Sequence, residues 1–382
     1  MRWSIVLLLA GACNLAPAQR TDTLRFTSEA FGTERTVLVH LPEFHRLAGP
    51  EVRMPVFILL DGQHEWFIGP ALNDIRFLQY THEVPQAIVI TVPHADRVKE
   101  CAPDSITQPT TPLLTMLTQE LPGLLTPYHP GDITVLVGHS FSASFALYAY
   151  LAAPAAFDAV IALSPLHQVD RSLPLVMERL QHAKDERVLL AVGGPERFKD
   201  GGHHAGLTRA MHDALPTRAG DRVFFKEYPS AGHTSLPIIA FPDLLATLFR
   251  PYALRDSLAP VDENYALLHV PPPPAQLVKE LEASWSFLGG TLPWDLAEAN
   301  GLLSRLENGG HPDHVIALLR QAITFYPNEY SFHAWLGEAL LERDPAAARS
   351  LLMRARELQD AYARDDADYE GTKAAIERML GP

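Results

Sequence analysis

Cysteine is nearly absent from this chain. Its 382 residues hold two, Cys13 and Cys101. That number rules out a cysteine-based zinc site, and if Cys13 leaves with a leader segment, Cys101 stands alone and no intramolecular disulfide forms. The core must then hold the fold by packing. Basic residues are also in short supply, with 31 Lys and Arg against 45 Asp and Glu and a formal net charge of −14. A net acidic surface repels phosphate backbones and anionic headgroups, which argues against nucleic acid or a membrane surface as partner. Long apolar runs are missing as well, so no transmembrane helix is expected. What is present is an ordinary globular balance, 47% hydrophobic and 20% charged. This is enough for a sizeable core, in two or three domains or in one large domain with an appendage.

The first residues carry a targeting pattern. Met1-Arg2-Trp3 gives a positive start, Ile5 to Ala10 a short apolar run, and Ala16-Pro17-Ala18 a small-x-small cleavage site. The expectation is a signal peptide over 1–18 and an exported protein, periplasmic or secreted. Lipid anchoring at Cys13 is the lesser alternative, because Ala10 stands where such signals usually carry Leu.

Residues 24–255 read as an α/β domain. Short apolar runs end abruptly in turn residues: Pro55–Leu60, Ala87–Val92, Ile133–Val137, Ala159–Leu163, Arg187–Val192 and Val223–Tyr228, with β-branched Thr36–His40 before them. Continuous apolar runs suit strands buried on both faces of a mostly parallel sheet. The stretches Thr111–Leu125, Phe141–Leu151 and His204–Leu215 between them have helical spacing and length. After Pro251 the character changes. Residues 256–274 form a Pro-rich linker ending in the run Pro271–Pro274, and residues 275–380 are helical in pattern with no convincing strand. Within that tail, 314–322 and 346–355 resemble one another at an offset of 33 residues. This spacing resembles tetratricopeptide repeats, in which small residues let paired helices pack closely. Such a tail either docks on the α/β domain and shapes its pocket mouth, or acts as a tethered adaptor for a protein partner.

The strongest chemical signal is Gly138-His139-Ser140-Phe141-Ser142, placed between a buried strand and an apolar helix. A sharp strand-to-helix turn would push Ser140 out above the sheet as a nucleophile, and it requires small neighbours. Position 142 departs from the usual pattern, with Ser in place of Gly. The Phe141 N–H at the helix start is a candidate oxyanion donor. A second donor should come from the loop after an earlier central strand, and Gln63, after Asp61-Gly62, is the candidate. The base should lie on the loop after the last strand, which makes it His233 in Pro229–Ser235. The acid should follow the strand Arg187–Val192. Glu196 is the first choice and Asp200 the second. His139 is expected to pack against the sheet, and His203 and His204 to lie at the surface or just behind the reacting residues.

These motifs, in this order, resemble the Putative esterase family of α/β-hydrolases, which includes siderophore (enterochelin-type), esterase D and feruloyl-type esterases. The resemblance rests on LLDGQHEW (Leu59–Trp66), the Arg97–Pro103 segment, VGHSFSASFALYA (Val137–Ala149), FDAVIALSP (Phe157–Pro165) and GHTSLP (Gly232–Pro237), and it covers roughly 24–255. Some bacterial members carry a helical tail similar to 275–380. The resemblance implies a serine esterase that acts on a small-molecule ester without a cofactor or metal. Two other outcomes remain open, transfer of the acyl group to another acceptor, and an inactive scaffold whose tail binds a protein.

Overall fold

The computed structural model describes residues 20–183, 185–194, 222–252, 257–292 and 294–381. The cleavage site at 1–18 and the stretch His204–Leu215 lie outside the described residues. An eight-stranded sheet organises the chain. Its strands are β1 Thr21–Ser28, β2 Thr33–His40, β3 Met54–Leu60, β4 Ile88–Val92, β5 Pro130–His139, β6 Ala159–Leu163, β7 Arg187–Gly193 and β8 Val223–Tyr228. They lie in the order β1-β2-β4-β3-β5-β6-β7-β8. β1 and β2 pair antiparallel, as do β2 and β4, and every other pairing is parallel.

The apolar runs form the centre of this sheet for the expected reason. Every residue of β3, β4 and β6 is buried. Successive side chains point to opposite faces. Val56, Ile58, Leu60 and Leu136 therefore join one core, with helices α5 (Phe141–Ala152) and α6 (Val169–His182). Phe57, Leu59, Val135 and Val137 join the other, with α1 (Glu65–Tyr80) and α7 (Leu236–Phe249). Between α1 and α5 lie the short α2 (Arg97–Cys101) and the segment Pro112–Leu125, where α3 (Pro112–Thr115) and α4 (Leu121–Leu125) flank a π-helical turn. The strand β1 was not expected. Its residues TDTLRFTS alternate between exposed and half-buried, because it is the sheet's edge and covers only one face.

The C-terminal region holds α8 (Pro274–Ala283), α9 (Leu296–Asn308), α10 (Pro312–Phe325), α11 (Tyr330–Leu340), α12 (Pro345–Tyr362) and α13 (Tyr369–Leu380). The two similar stretches fall in α10 and α12. A Cβ added at Gly337 would lie 2.8 Å from Leu352 Cγ, so α11 and α12 approach closely. One expectation fails here, because a two-residue hairpin, Ser286–Phe287 with Gly290–Thr291, interrupts the helices. It is built for docking. Leu288 and Leu292 are buried in the same core as Phe57 and Ile133 of the sheet, and Phe287 stacks on Phe249 at 5.2 Å.

The tail is therefore docked, and the Pro-rich segment is no free tether. Arg305 donates to the Ala259 carbonyl at 2.8 Å, and His314 to that of Pro272 at 2.6 Å. The Gly49 N–H donates to the Phe325 carbonyl at 2.7 Å. Gly49 lies just before β3 and Ile133 early in β5, so the tail's contacts with these two segments fall toward the N-terminal ends of parallel strands. The hairpin therefore meets the sheet away from the elbow. From Ile133, which the hairpin covers, to Ser140 is about 23 Å along an extended strand. Among the described residues, no helix is long and apolar enough to cross a membrane.

Candidate active site

At its C-terminal end β5 runs directly into α5 through Ser140, whose backbone sits at φ 61° and ψ −116°. For a residue with a side chain this is a strained conformation, and it persists only where its surroundings force it. The forcing is visible. The Ser140 N–H donates to the Leu163 carbonyl of β6 at 2.8 Å, and its carbonyl accepts from the Ser144 N–H at 3.1 Å. Gly138 allows the turn to close, since a Cβ there would lie 2.3 Å from the Ser142 carbonyl oxygen. Phe141 is the first residue of α5, so its N–H has no intrahelical acceptor and lies at the positive end of the helix.

His233 lies in the loop between β8 and α7, and the structure brings it to the elbow. The link is a residue whose role the sequence did not reveal. His139 was expected to pack against the sheet, but its Nε2 reaches the carbonyl oxygen of His233 at 2.9 Å. A carbonyl can only accept, so His139 carries its proton on Nε2. The two imidazole centroids are 4.7 Å apart, and the edge of His139 meets the Trp66 ring at 5.7 Å. Burial, reinforced by the neighbouring His233, pushes the His139 pKa down to about 4. It is therefore neutral near pH 7 and serves as a fixed donor to the loop.

The second missed residue is Asp61, at the end of β3. It is fully buried and adopts φ 66°. Its carboxylate accepts from Arg97 Nε at 2.5 Å and Nη2 at 3.0 Å, and from Ser142 Oγ at 2.6 Å. A buried carboxylate requires such partners. The available signal was an acid closing the apolar run PVFILL, in a chain whose family resemblance also includes the Arg97 segment. Behind this pair lies another. Arg35 grips Glu100 through two bonds of 2.9 and 2.8 Å, and His94 Nδ1 approaches the same carboxylate at 2.9 Å. Burial by itself would raise the Glu100 pKa, but the bonds from His94 and Arg35 outweigh it and hold the carboxyl well below the usual range.

Gln63 follows Asp61 and Gly62 on the loop beside the elbow. Its side-chain oxygen accepts from the His94 N–H at 2.9 Å. Gly62 is required there, because a Cβ would lie 2.6 Å from the Pro93 nitrogen. Glu196 and Asp200 lie outside the described residues, as do His203 and His204. The preceding strand ends against the histidine loop, since Gly193 pairs with Tyr228 and a Cβ on Gly194 would meet the Pro229 carbonyl oxygen at 2.5 Å. Two cavities, of about 830 and 500 Å³, lie beside the C-terminal end of α5, away from Ser140 and His233. Among the described residues no group of His, Cys, Asp and Glu is arranged to hold a metal ion.

The fold recurs in solved structures. An IroE-like serine hydrolase from Shewanella oneidensis matches with a TM-score of 0.62 and 20% identity, over 80% of this chain and 100% of its own. An uncharacterised protein from Capnocytophaga ochracea DSM 7271 matches with a TM-score of 0.56 and 14% identity, over 92% of this chain and 100% of its own. At these identities the likeness concerns the fold. Comparison with curated proteins gave no match. The model of the family described as Putative esterase matches residues 28–233, just over half of the chain, from the end of β1 to the histidine loop. The chain thus belongs to the Putative esterase family, and it is a carboxylic ester hydrolase with the α/β-hydrolase fold.

Proposed function

We propose that ester cleavage proceeds through an acyl-enzyme on Ser140, with His233 as the base. The observation that carries this reading is the strained Ser140 backbone at the β5–α5 joint, next to a histidine loop that His139 ties to the elbow. A serine hydroxyl is a poor nucleophile until a base takes its proton. His233 accepts that proton as Ser140 Oγ bonds to the ester carbonyl carbon. The carbonyl oxygen becomes an oxyanion, held by the N–H groups of Phe141 and Gln63. When the tetrahedral intermediate collapses, the C–O bond to the alcohol breaks and the alcohol leaves with the proton from His233. Water, deprotonated by His233, then attacks the acyl carbon, the bond to Ser140 Oγ breaks, and His233 returns the proton to Ser140 as the acid is released. Glu196 or Asp200 would hold the His233 tautomer. The substrate is a small-molecule ester, and no cofactor enters the reaction.

The test is hydrolysis of a short-chain nitrophenyl ester by the mature protein, with Ser140→Ala and His233→Ala alongside. Turnover by wild type and its loss in both folded variants supports the reading. Equal rates for wild type and Ser140→Ala refute it. We also propose export with cleavage after Ala18, which N-terminal sequencing of the mature protein checks, and a degenerate tetratricopeptide-like origin for the tail, supported by the 33-residue offset and the close pairing at Gly337.

A further inference from the structure

The elbow of this chain differs from the usual Gly-x-Ser-x-Gly pattern at its last position, where Ser142 replaces Gly. That hydroxyl is fully buried and sits at a junction. It accepts from the His139 N–H at 2.8 Å and lies 2.6 Å from Asp61 Oδ2, to which it donates. Asp61 is held in turn by Arg97, whose Nη2 also donates to the His139 carbonyl at 2.6 Å. Both ends of residue 139, the one preceding the nucleophile, are therefore clamped. The same carboxylate begins the Asp61-Gly62-Gln63 loop. Asp61 thus joins the two segments that carry the candidate oxyanion donors, Gln63 on one side and Phe141, between Ser140 and Ser142, on the other.

We propose that Ser142 and Asp61 are positioning residues which fix the spacing between the two oxyanion donors, with the extra hydroxyl of Ser142 acting as a strut that a Gly elbow lacks. This rests on the acyl-enzyme reading above. The physical reason is that oxyanion donors act only when aimed beforehand at the place where charge develops. A misplacement of about 1 Å costs on the order of 100-fold in rate. A buried carboxylate bonded to both segments is short and stiff, whereas water in its place would let the loop and helix drift apart. Arg97 grips that carboxylate through Nε and Nη2, and a carboxylate is a stronger acceptor for the Ser142 hydroxyl than a neutral group would be.

The experiment compares full-length wild type with Ser142→Ala. Active sites are titrated with a fluorophosphonate, kcat and KM are measured on a nitrophenyl ester, and affinity is measured for an alkylboronic acid, which forms a tetrahedral adduct on the serine. The strut predicts that kcat per titrated site falls on the order of tenfold, with KM little changed and boronate affinity lowered in the same proportion as kcat. A residue that merely stabilised the fold would lower the titrated fraction and Tm while leaving both of those readouts untouched, and that result overturns the proposal. If Ser142→Ala does not fold, Ser142→Gly restores the usual elbow residue and is read in the same way. Normal labelling with unchanged kcat sinks this inference alone. A wild type that resists labelling at Ser140 sinks the acyl-enzyme reading and this inference with it.

Discussion

Gly138→Ala adds one methyl group at the most crowded point of the elbow. The new Cβ would lie 2.3 Å from the Ser142 carbonyl oxygen, 2.4 Å from its carbonyl carbon and 2.7 Å from the Ala143 nitrogen. All three are backbone atoms, so no side-chain rotation relieves the contact. An ordinary carbon–oxygen approach is about 3.3 Å, so the β5–α5 joint must open by about 1 Å. That movement carries Ser140 and the Phe141 N–H with it. Misplacement on this scale costs on the order of 100-fold in kcat/KM, and the overpacking costs about 1–3 kcal/mol of stability. The assay is nitrophenyl ester hydrolysis at a temperature where urea denaturation shows both proteins fully folded. Gly69→Ala is the control. Gly69 lies in α1, and a Cβ there meets nothing within 4 Å. Replacing it should leave activity intact with little change in stability, because the helical gain of Ala over Gly is opposed by the crowding of its Cβ against the ring of Pro70. A Gly138→Ala enzyme with wild-type kcat/KM would refute the claim that crowding at this glycine sets the position of Ser140, the proposed nucleophile.

Two further outcomes follow from the structure. Burial, with Arg76 adding to it, pushes the pKa of His40 down to about 4, and His139 is pushed equally far. The unfolded chain binds protons at these residues from about pH 6.5 downward, before the native state does, so stability falls as pH drops from about 6.5 toward 4, by up to roughly 3 kcal/mol per residue. His40→Gln should flatten that slope in urea denaturation at pH 7 and 4.5, and an unchanged slope would contradict the assignment. Truncation after Tyr265 removes Leu288 and Leu292 from the core they share with Phe57 and Ile133. It should yield an insoluble or strongly destabilised protein, and a soluble fragment with unaltered Tm would show that the docking contributes nothing.

The central sheet was legible in the sequence because a strand buried on both faces must be apolar throughout, as PVFILL, ITVLV and AVIAL are. The edge strand β1 was not legible, since TDTLRFTS covers one face only and contains four polar or charged residues on the other. The elbow at Gly138 and Ser140 could be read because its geometry is local and comes from three consecutive backbone positions. Asp61, Ser142 and His139 could not, because each acts across a separation in sequence. Ser142 bonds Asp61 from 81 residues away, and His139 bonds the His233 carbonyl from 94. Composition and periodicity carry no information about such pairings. The choice between a docked and a tethered tail stayed open for the same reason, since Leu288 and Leu292 look like ordinary helix-region leucines until the hairpin folds them onto β5.

The placement of the site follows from how the fold supports strain. Three residues with positive φ stand just past the ends of parallel strands, Asp61 after β3, Ser140 after β5 and Ser164 after β6. Each such conformation costs about 1–3 kcal/mol, so the set approaches the whole net stability of an ordinary domain, about 5–15 kcal/mol. All three joints are held in the same way. The Gly62 N–H donates to Val92, that of Ser140 to Leu163 and that of Ser164 to Ala191, so the sheet's hydrogen bonding continues past each strained residue to the neighbouring strand. That continuation is possible only where a parallel neighbour lies beside the strand, which is the middle of the sheet. An edge strand such as β1 has a partner on one side only and could not anchor a turn of this kind. A strained serine is therefore tolerated at the centre of the C-terminal edge, while the tail's hairpin adds its apolar contacts near the start of β5.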